Sequence, residues 1–152
     1  MDLKKLIVDT KSVWVDFPGL SGFSVEVANL SRKELTNLRK RCTGQKFDRK
    51  SRQIVESLDE EKFVKEFSVA TVKNWKGLTL DHLETLILID VDGQDMTKEL
   101  EFTEDNAQTL VASSTEFDNW LNEVVFDLEN FRSTEQGKNT EKTKTIFSKK
   151  IN

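Results

Sequence analysis

Residues 13–27, VWVDFPGLSGFSVEV, decide the fold class of this chain. Valine and phenylalanine occupy every second position from 13 to 17 and again from 23 to 27, which is the pattern of two half-buried strands. The Pro and Gly residues between them favour a tight turn. Because a lone hairpin is at best marginally stable in water, its apolar face needs cover from the helices that follow. The stretch therefore predicts an α+β fold with an N-terminal β-hairpin.

Five helices are predicted after the hairpin, and each starts at a residue that can cap a helix. Ser31 and Glu34 form a capping box, in which each side chain satisfies a free amide at the helix start. The same spacing recurs twice, and threonines can cap the other two helices. The predicted caps are Ser31, Ser57, Thr79, Thr103 and Ser113, and the helices end near residues 42, 77, 87, 111 and 131. The sequence thus predicts a mainly helical chain.

The predicted core consists of apolar residues that recur at strand or helix spacing. The clearest stripe begins at Phe117 and continues at i+3, i+4, i+7, i+11 and i+14, which predicts one long amphipathic C-terminal helix. The full core prediction is Val15, Phe23, Val25, Leu35, Leu38, Phe63, Phe67, Trp75, Leu83, Leu86, Leu110, Phe117, Trp120, Leu121, Val124 and Leu128.

Two segments lack such a stripe. Residues 43–53 are predicted to form a mobile basic connection, because periodicity is lost there and Gly44 interrupts the pattern. Residues 133–152 are rich in Ser, Thr, Lys, Gln and Asn and hold too few apolar residues to offset chain entropy. The predicted organisation is a single domain over 1–132 followed by a disordered basic tail over 133–152.

Charge separates the tail from the body. The tail holds five Lys and two Glu, which leaves 18 basic and 25 acidic residues on 1–132, a net charge of −7. Nucleic-acid binding depends on clustered Lys and Arg, so a body of this sign is a poor general ligand for phosphates. The basic stretch from Arg39 to Arg52, with Phe47, has two readings: an RNA or DNA contact, or a solvated loop that balances the acidic body.

Neither secretion nor membrane insertion is expected. Residues 1–11 contain no apolar run of signal-peptide length, and the longest apolar run, 86–89, is far below the ~18 residues of a membrane span. Cys42 is the single cysteine and cannot form an internal disulfide. The chain is expected in a cytoplasm.

No catalytic, metal or cofactor site is expected. Structural zinc needs about four Cys or His ligands, and the chain offers only Cys42 and His82. His82 lies at the start of a predicted helix beside acids, which is typical of a solvated surface histidine rather than a general base. A calcium loop centred on Gly93 would have Leu88 at its first ligand position, where a carboxylate is required. Phosphate-binding glycine motifs are missing from the sequence. The chain is therefore predicted not to be an enzyme.

Several short motifs occur in a familiar order between residues 13 and 132. They are FPG at 17–19, GF at 22–23, LSRKEL at 30–35, DEEKF at 59–63, WKGL at 75–78, EFTEDNA at 101–107, FDNW at 117–120 and DLENFR at 127–132. In this order the chain resembles the tail assembly chaperones of long-tailed, non-contractile bacteriophages. The resemblance covers most of the chain and lies in the ordered set rather than in any one motif.

The resemblance implies a protein that binds the long helical tape measure protein in the host cytoplasm before the tail tube polymerises, and that is absent from the mature virion. An amphipathic helix lying in an apolar groove is a mode of binding that fits this role. Members commonly also yield a longer, frameshifted product that engages the tail tube protein, and SKKI at 148–151 is compatible with a slippery run of adenines. Self-association is compatible with this role.

Two other functions stay open from the sequence: a nucleic-acid-associated adaptor that uses the basic segments, and a structural tail completion protein. The sequence does not identify the partner-binding residues, because one apolar stripe can serve as core or as contact.

Overall fold

The computed structural model describes residues 1–8 and 10–132, which form six α-helices, one 3₁₀ helix and five strands. The predicted disordered tail, 133–152, lies outside the described residues. The elements in chain order are α1 Leu3–Leu6, β1 Ser12–Asp16, β2 Ser24–Ala28, α2 Arg32–Cys42, β3 Thr43–Asp48, β4 Gln53–Leu58, α3 Glu60–Thr71, β5 Val72–Lys76, α4 Leu80–Leu86, α5 Glu104–Ser113, α6 Thr115–Phe126 and the 3₁₀ helix Leu128–Phe131.

The N-terminal hairpin forms two strands of a three-stranded antiparallel sheet in the order β1-β2-β5, with β2 at the centre. This confirms the predicted hairpin, whose second strand is fully buried at Val25 and Val27, as is Phe23 just before it. The sheet also corrects the predicted second helix, which ends at Thr71 instead of Gly77. Residues 72–76 form β5 because β2 has a second edge whose backbone groups need partners, and this tertiary pairing overrides local helical periodicity.

The predicted mobile connection at 43–53 is wrong. Strands β3 and β4 pair in register from Thr43↔Leu58 to Asp48↔Gln53 and form a second hairpin. Most residues of these two strands are polar, and the strands bury almost nothing. They therefore lack the alternation of apolar and polar residues that marked the first hairpin. The predicted cap at Ser57 is also wrong, because Ser57 lies within β4. Asp59 caps α3 instead, accepting a hydrogen bond from the backbone N–H of Lys62 at 3.1 Å.

Three of the five predicted helix caps are confirmed, and the predicted end of the C-terminal helix is wrong. Both halves of the capping box at Ser31 are present, and Thr79 and Thr103 cap α4 and α5. The last cap is Ser114, one residue after the predicted Ser113. Helix α6 ends at Phe126 because the next residue, Asp127, accepts a hydrogen bond from a following backbone N–H and starts a 3₁₀ turn.

That early helix end moves Leu128 out of the predicted core, and its side chain is 63% exposed. The predicted core is otherwise buried or packed against the buried cluster. Four of its members are only partly buried, namely Val15, Leu35, Phe63 and Trp120. Phe17 and Phe131, which the prediction omitted, are buried. Phe17 stacks on both Phe23 and Phe117, with ring centroids 5.6 and 6.0 Å away, and so joins the hairpin to α6.

The fold is therefore a mixture of helices and two small antiparallel sheets, with the N-terminal hairpin packed on helices as expected. The expectation of a mainly helical chain is not confirmed, since β3, β4 and β5 were not foreseen. Within the described residues, no helix combines the length and the apolar character needed to cross a bilayer.

Gly77 fixes the junction between β5 and α4. Its φ of +76° is a conformation that side chains with a Cβ rarely adopt. A Cβ at this position would also overlap the backbone carbonyl oxygen of Gly22, in the loop of the first hairpin. The two glycines therefore allow the β5–α4 junction to touch the hairpin loop directly.

We predict that Gly77→Ala lowers the free energy of unfolding by more than about 2 kcal/mol, through backbone strain and the overlap with Gly22. The measurement is urea unfolding followed by tryptophan fluorescence. Gly44→Ala is the matched control, because Gly44 has no atom near its Cβ position and no positive φ. It should change stability by less than about 0.5 kcal/mol. Equal losses for the two variants would contradict the role given to Gly77.

Candidate partner-binding surface

Cys42, at the end of α2, is buried and lies against the carboxylate of Glu66 on α3, with Sγ 3.7 Å from Oε2. Burial, and then the neighbouring negative charge, raises the pKa of the Cys42 thiol. The Glu66 pKa is lowered, chiefly by the hydrogen bond that Arg41 Nε donates to Glu66 Oε1 at 2.9 Å. Since the thiolate is the nucleophilic form, a thiol with a raised pKa behaves as a structural side chain at neutral pH.

His82 is half-buried, which corrects the prediction of a freely solvated side chain. Its Nδ1 lies 3.0 Å from the carbonyl oxygen of Gly77, and its ring stacks on Phe23 with centroids 6.4 Å apart. The ring thus sits against the β5–α4 junction, while Cys42 sits between α2 and α3. The structure does not bring the two together, and His82 helps to hold the same close contact that Gly77 permits.

The acidic loop around Gly93 makes local turns. Asp90 and Asp95 each accept a hydrogen bond from the backbone N–H two residues later, at 3.1 and 2.9 Å. Over residues 1–8 and 10–132, no group of three or more His, Cys, Asp or Glu side chains is placed to hold a metal ion. In the loop around Gly93, the carboxylates of Asp90 and Asp95 instead stabilise local turns.

The second hairpin, residues 43–58, forms an exposed ribbon that we call the arm. Only Thr43, Asp48 and Leu58 are even half-buried, and the remaining thirteen residues are exposed. Cross-strand partners share a face, so Phe47 and Ile54 form an apolar pair near the tip, 58% and 66% exposed. Both strands of the arm are edge strands, because its sheet has two strands.

The arm is basic. It carries four cations, Lys46, Arg49, Lys50 and Arg52, against two acids, Asp48 and Glu56. Asp48 is used in the tip, where its carboxylate accepts hydrogen bonds from Lys50 N and Ser51 Oγ at 3.0 Å each. In the part of the chain that is described, the four cations take part in no ion pair. The positive charge could be read from the sequence. That a β-hairpin carries it, together with an exposed apolar pair, could not.

A second group of exposed apolar side chains lies at the N-terminus. Four of them are each more than half exposed, namely Leu3, Leu6, Ile7 and Val8. Monomeric proteins seldom leave neighbouring large apolar side chains in water, so such a group indicates a binding surface. In contrast, Phe117, Leu121 and Val124 of the α6 stripe are buried in the core. The sequence could not distinguish these two uses of apolar residues.

A third feature is an open depression beside α4, with a volume of about 320 Å³. Its apolar lining comes from α4 and from the loop that follows. Asp90 and Glu99 also line it, as do Gln94 and Lys98. The apolar lining residues are Leu80, Leu83, Ile89, Val91 and Leu100.

Comparisons of the chain with protein-family models, with curated proteins and with solved structures find no match.

The raised pKa and burial of Cys42 predict a slow reaction with Ellman's reagent in the native protein. At pH 8 the native rate should be at least about a hundredfold below the rate in denaturant, because labelling requires local opening. The rate should still climb as pH passes about 8.5, the ordinary thiol value, since the thiolate forms later than usual. Cys42→Ser provides the blank, and equal native and denatured rates would show that the thiol is accessible.

Proposed function

We propose that this chain is a phage tail assembly chaperone that binds the tape measure protein and keeps it soluble until the tail tube polymerises around it. The proposal starts from the ordered motifs between residues 13 and 132, which resemble that family. It also needs a surface that can cover apolar helices without being part of the core.

The observation that carries the proposal is the group of exposed apolar side chains at Leu3, Leu6, Ile7 and Val8. They lie ahead of β1 and contribute nothing to the buried cluster, so the fold does not account for their apolar character. A tape measure protein exposes long apolar helical stripes, and an apolar segment can cover such a stripe through contacts spaced at i, i+3, i+4 and i+7. Each copy would bury a modest area, which suits a partner that tube subunits later displace.

The test is co-expression with the tape measure protein encoded nearby. We expect wild type to raise the soluble fraction of the tape measure protein several-fold. The variant L3S/L6S/I7S/V8S should lose that effect while keeping its thermal unfolding temperature, because these residues lie outside the core. Leu88→Ser is the matched control, since Leu88 is a fully exposed leucine outside the N-terminal group, and it should act as wild type does. A tape measure protein that is equally insoluble with and without this chain would contradict the proposal.

The arm supports one alternative function, a nucleic-acid-associated adaptor, because it places Phe47 among four cations. The salt dependence of binding distinguishes the two functions. Binding driven by phosphates weakens steeply as salt rises, whereas apolar cover of a helix does not.

A structural tail completion protein is the other alternative. Mass spectrometry of purified particles addresses it, because a chaperone is absent from virions and a completion protein is present.

A further inference from the structure

Charge is segregated along this chain far more than its net value shows. Residues 77–131, which we call the acidic half, contain fourteen Asp and Glu and a single cation, Lys98. Residues 32–58, which comprise α2 and the arm, contain nine Lys and Arg and three acids. Within the described residues, no cation of the arm forms an ion pair with the acidic half, so the two regions do not neutralise each other's charge. Each side is therefore left with charge that a molecule of opposite sign can compensate.

The two sides also match in their apolar parts. The arm presents Phe47 and Ile54 as an exposed pair, and the cations Lys46 and Arg49 lie within two residues of Phe47 in sequence. The acidic half presents the open depression beside α4, whose lining is mostly apolar and includes Asp90 and Glu99 against one cation, Lys98. An apolar anchor surrounded by charge, facing an apolar pocket surrounded by the opposite charge, is the arrangement that gives both affinity and orientation at protein interfaces.

We propose that the partner of the arm is a second copy of this chain, and that the arm of one copy docks in the depression of the next. The apolar pair enters the depression, and the arm cations lie against the acids of α4 and the following loop. Because the two surfaces differ, the contact is heterologous and leaves a free arm at one end and a free depression at the other. Such contacts extend head to tail into rings or helical filaments.

The inference does not depend on the proposed function, because it concerns the purified chain alone. A chaperone that fails to solubilise a tape measure protein can still self-associate, and a monomeric chain can still solubilise one. The two proposals therefore fail through different measurements.

The experiment uses two charge-reversal variants of the full chain. The arm variant, K46E/R49E/K50E, changes exposed side chains and leaves Asp48 in the tip. The depression variant, E84K/D92K/E101K, changes exposed acids that neighbour the lining residues Leu83, Val91 and Leu100 and whose side chains form no hydrogen bond in the described structure. K4E/K5E/K33E reverses three cations outside the arm and is the matched control for the arm variant. Far-UV circular dichroism checks that each variant folds.

The readout is molar mass by light scattering at an ionic strength of about 0.01 M, where charges act over ~30 Å. Wild type and the control are expected above the monomer mass of 17.5 kDa. Each reversal variant alone should be a monomer. An equimolar mixture of the two should give a species of twice the monomer mass that grows no further, because only one arm and one depression remain functional. At about 1 M salt, where the range of charge falls to ~3 Å, association should weaken more than about tenfold.

Three results would overturn the proposal. They are a monomeric wild type at low salt, an arm variant that associates as wild type does, and a mixture that stays monomeric. Fluorescence anisotropy with labelled single-stranded DNA adds a check: a monomeric wild type whose arm binds DNA would assign the arm to nucleic acid instead. F47S/I54S, which keeps all charges, should also weaken self-association at least about tenfold. Unchanged association of that variant would likewise count against docking in the depression.

Discussion

The fold depends on the pairing of both edges of β2. One edge pairs with β1, its neighbour in the chain, and the other pairs with β5, with Val25 opposite both Val15 and Trp75. Only when both edges are paired are the backbone groups of this strand satisfied, and only then can its side chains be buried. The contact between Gly77 and Gly22 holds the end of β5 against the hairpin loop. From there α4 begins, and with it the acidic half of the chain.

Part of this fold could be predicted from the sequence, because it depends on interactions between residues that are close in the chain. The first hairpin and the caps at Ser31, Thr79 and Thr103 depend on residues within a few positions of each other, and all were predicted. Strand β5 was not, because its identity depends on an edge of β2 that lies almost fifty residues earlier in the chain. The arm was missed for the opposite reason: it buries so little that its strands carry no apolar alternation. The end of α6 depended on one Asp side chain that competes for backbone N–H groups.

The candidate surfaces were only half visible in the sequence. Counts of Lys, Arg, Asp and Glu expose the segregation of charge without any structure. Whether an apolar residue faces the core or the solvent requires the fold, as two phenylalanines show: Phe117 is completely buried and Phe47 is more than half exposed. The apolar stripe of α6, which could have served as core or as contact, is mostly buried, and the segment predicted to be a mobile connection carries an exposed apolar pair.

The long separation between β2 and β5 also bears on how the protein is made. A ribosome releases β2 well before Val72–Lys76 has been synthesised, so the strand waits with one edge open and its valines in water. Pairing across such a distance requires the closure of a large loop, and topologies rich in distant contacts fold slowly. The intervening basic segment, with its surplus of positive charge, emerges during that interval. Its like charges oppose close contact between two unfinished copies while the edge of β2 is open.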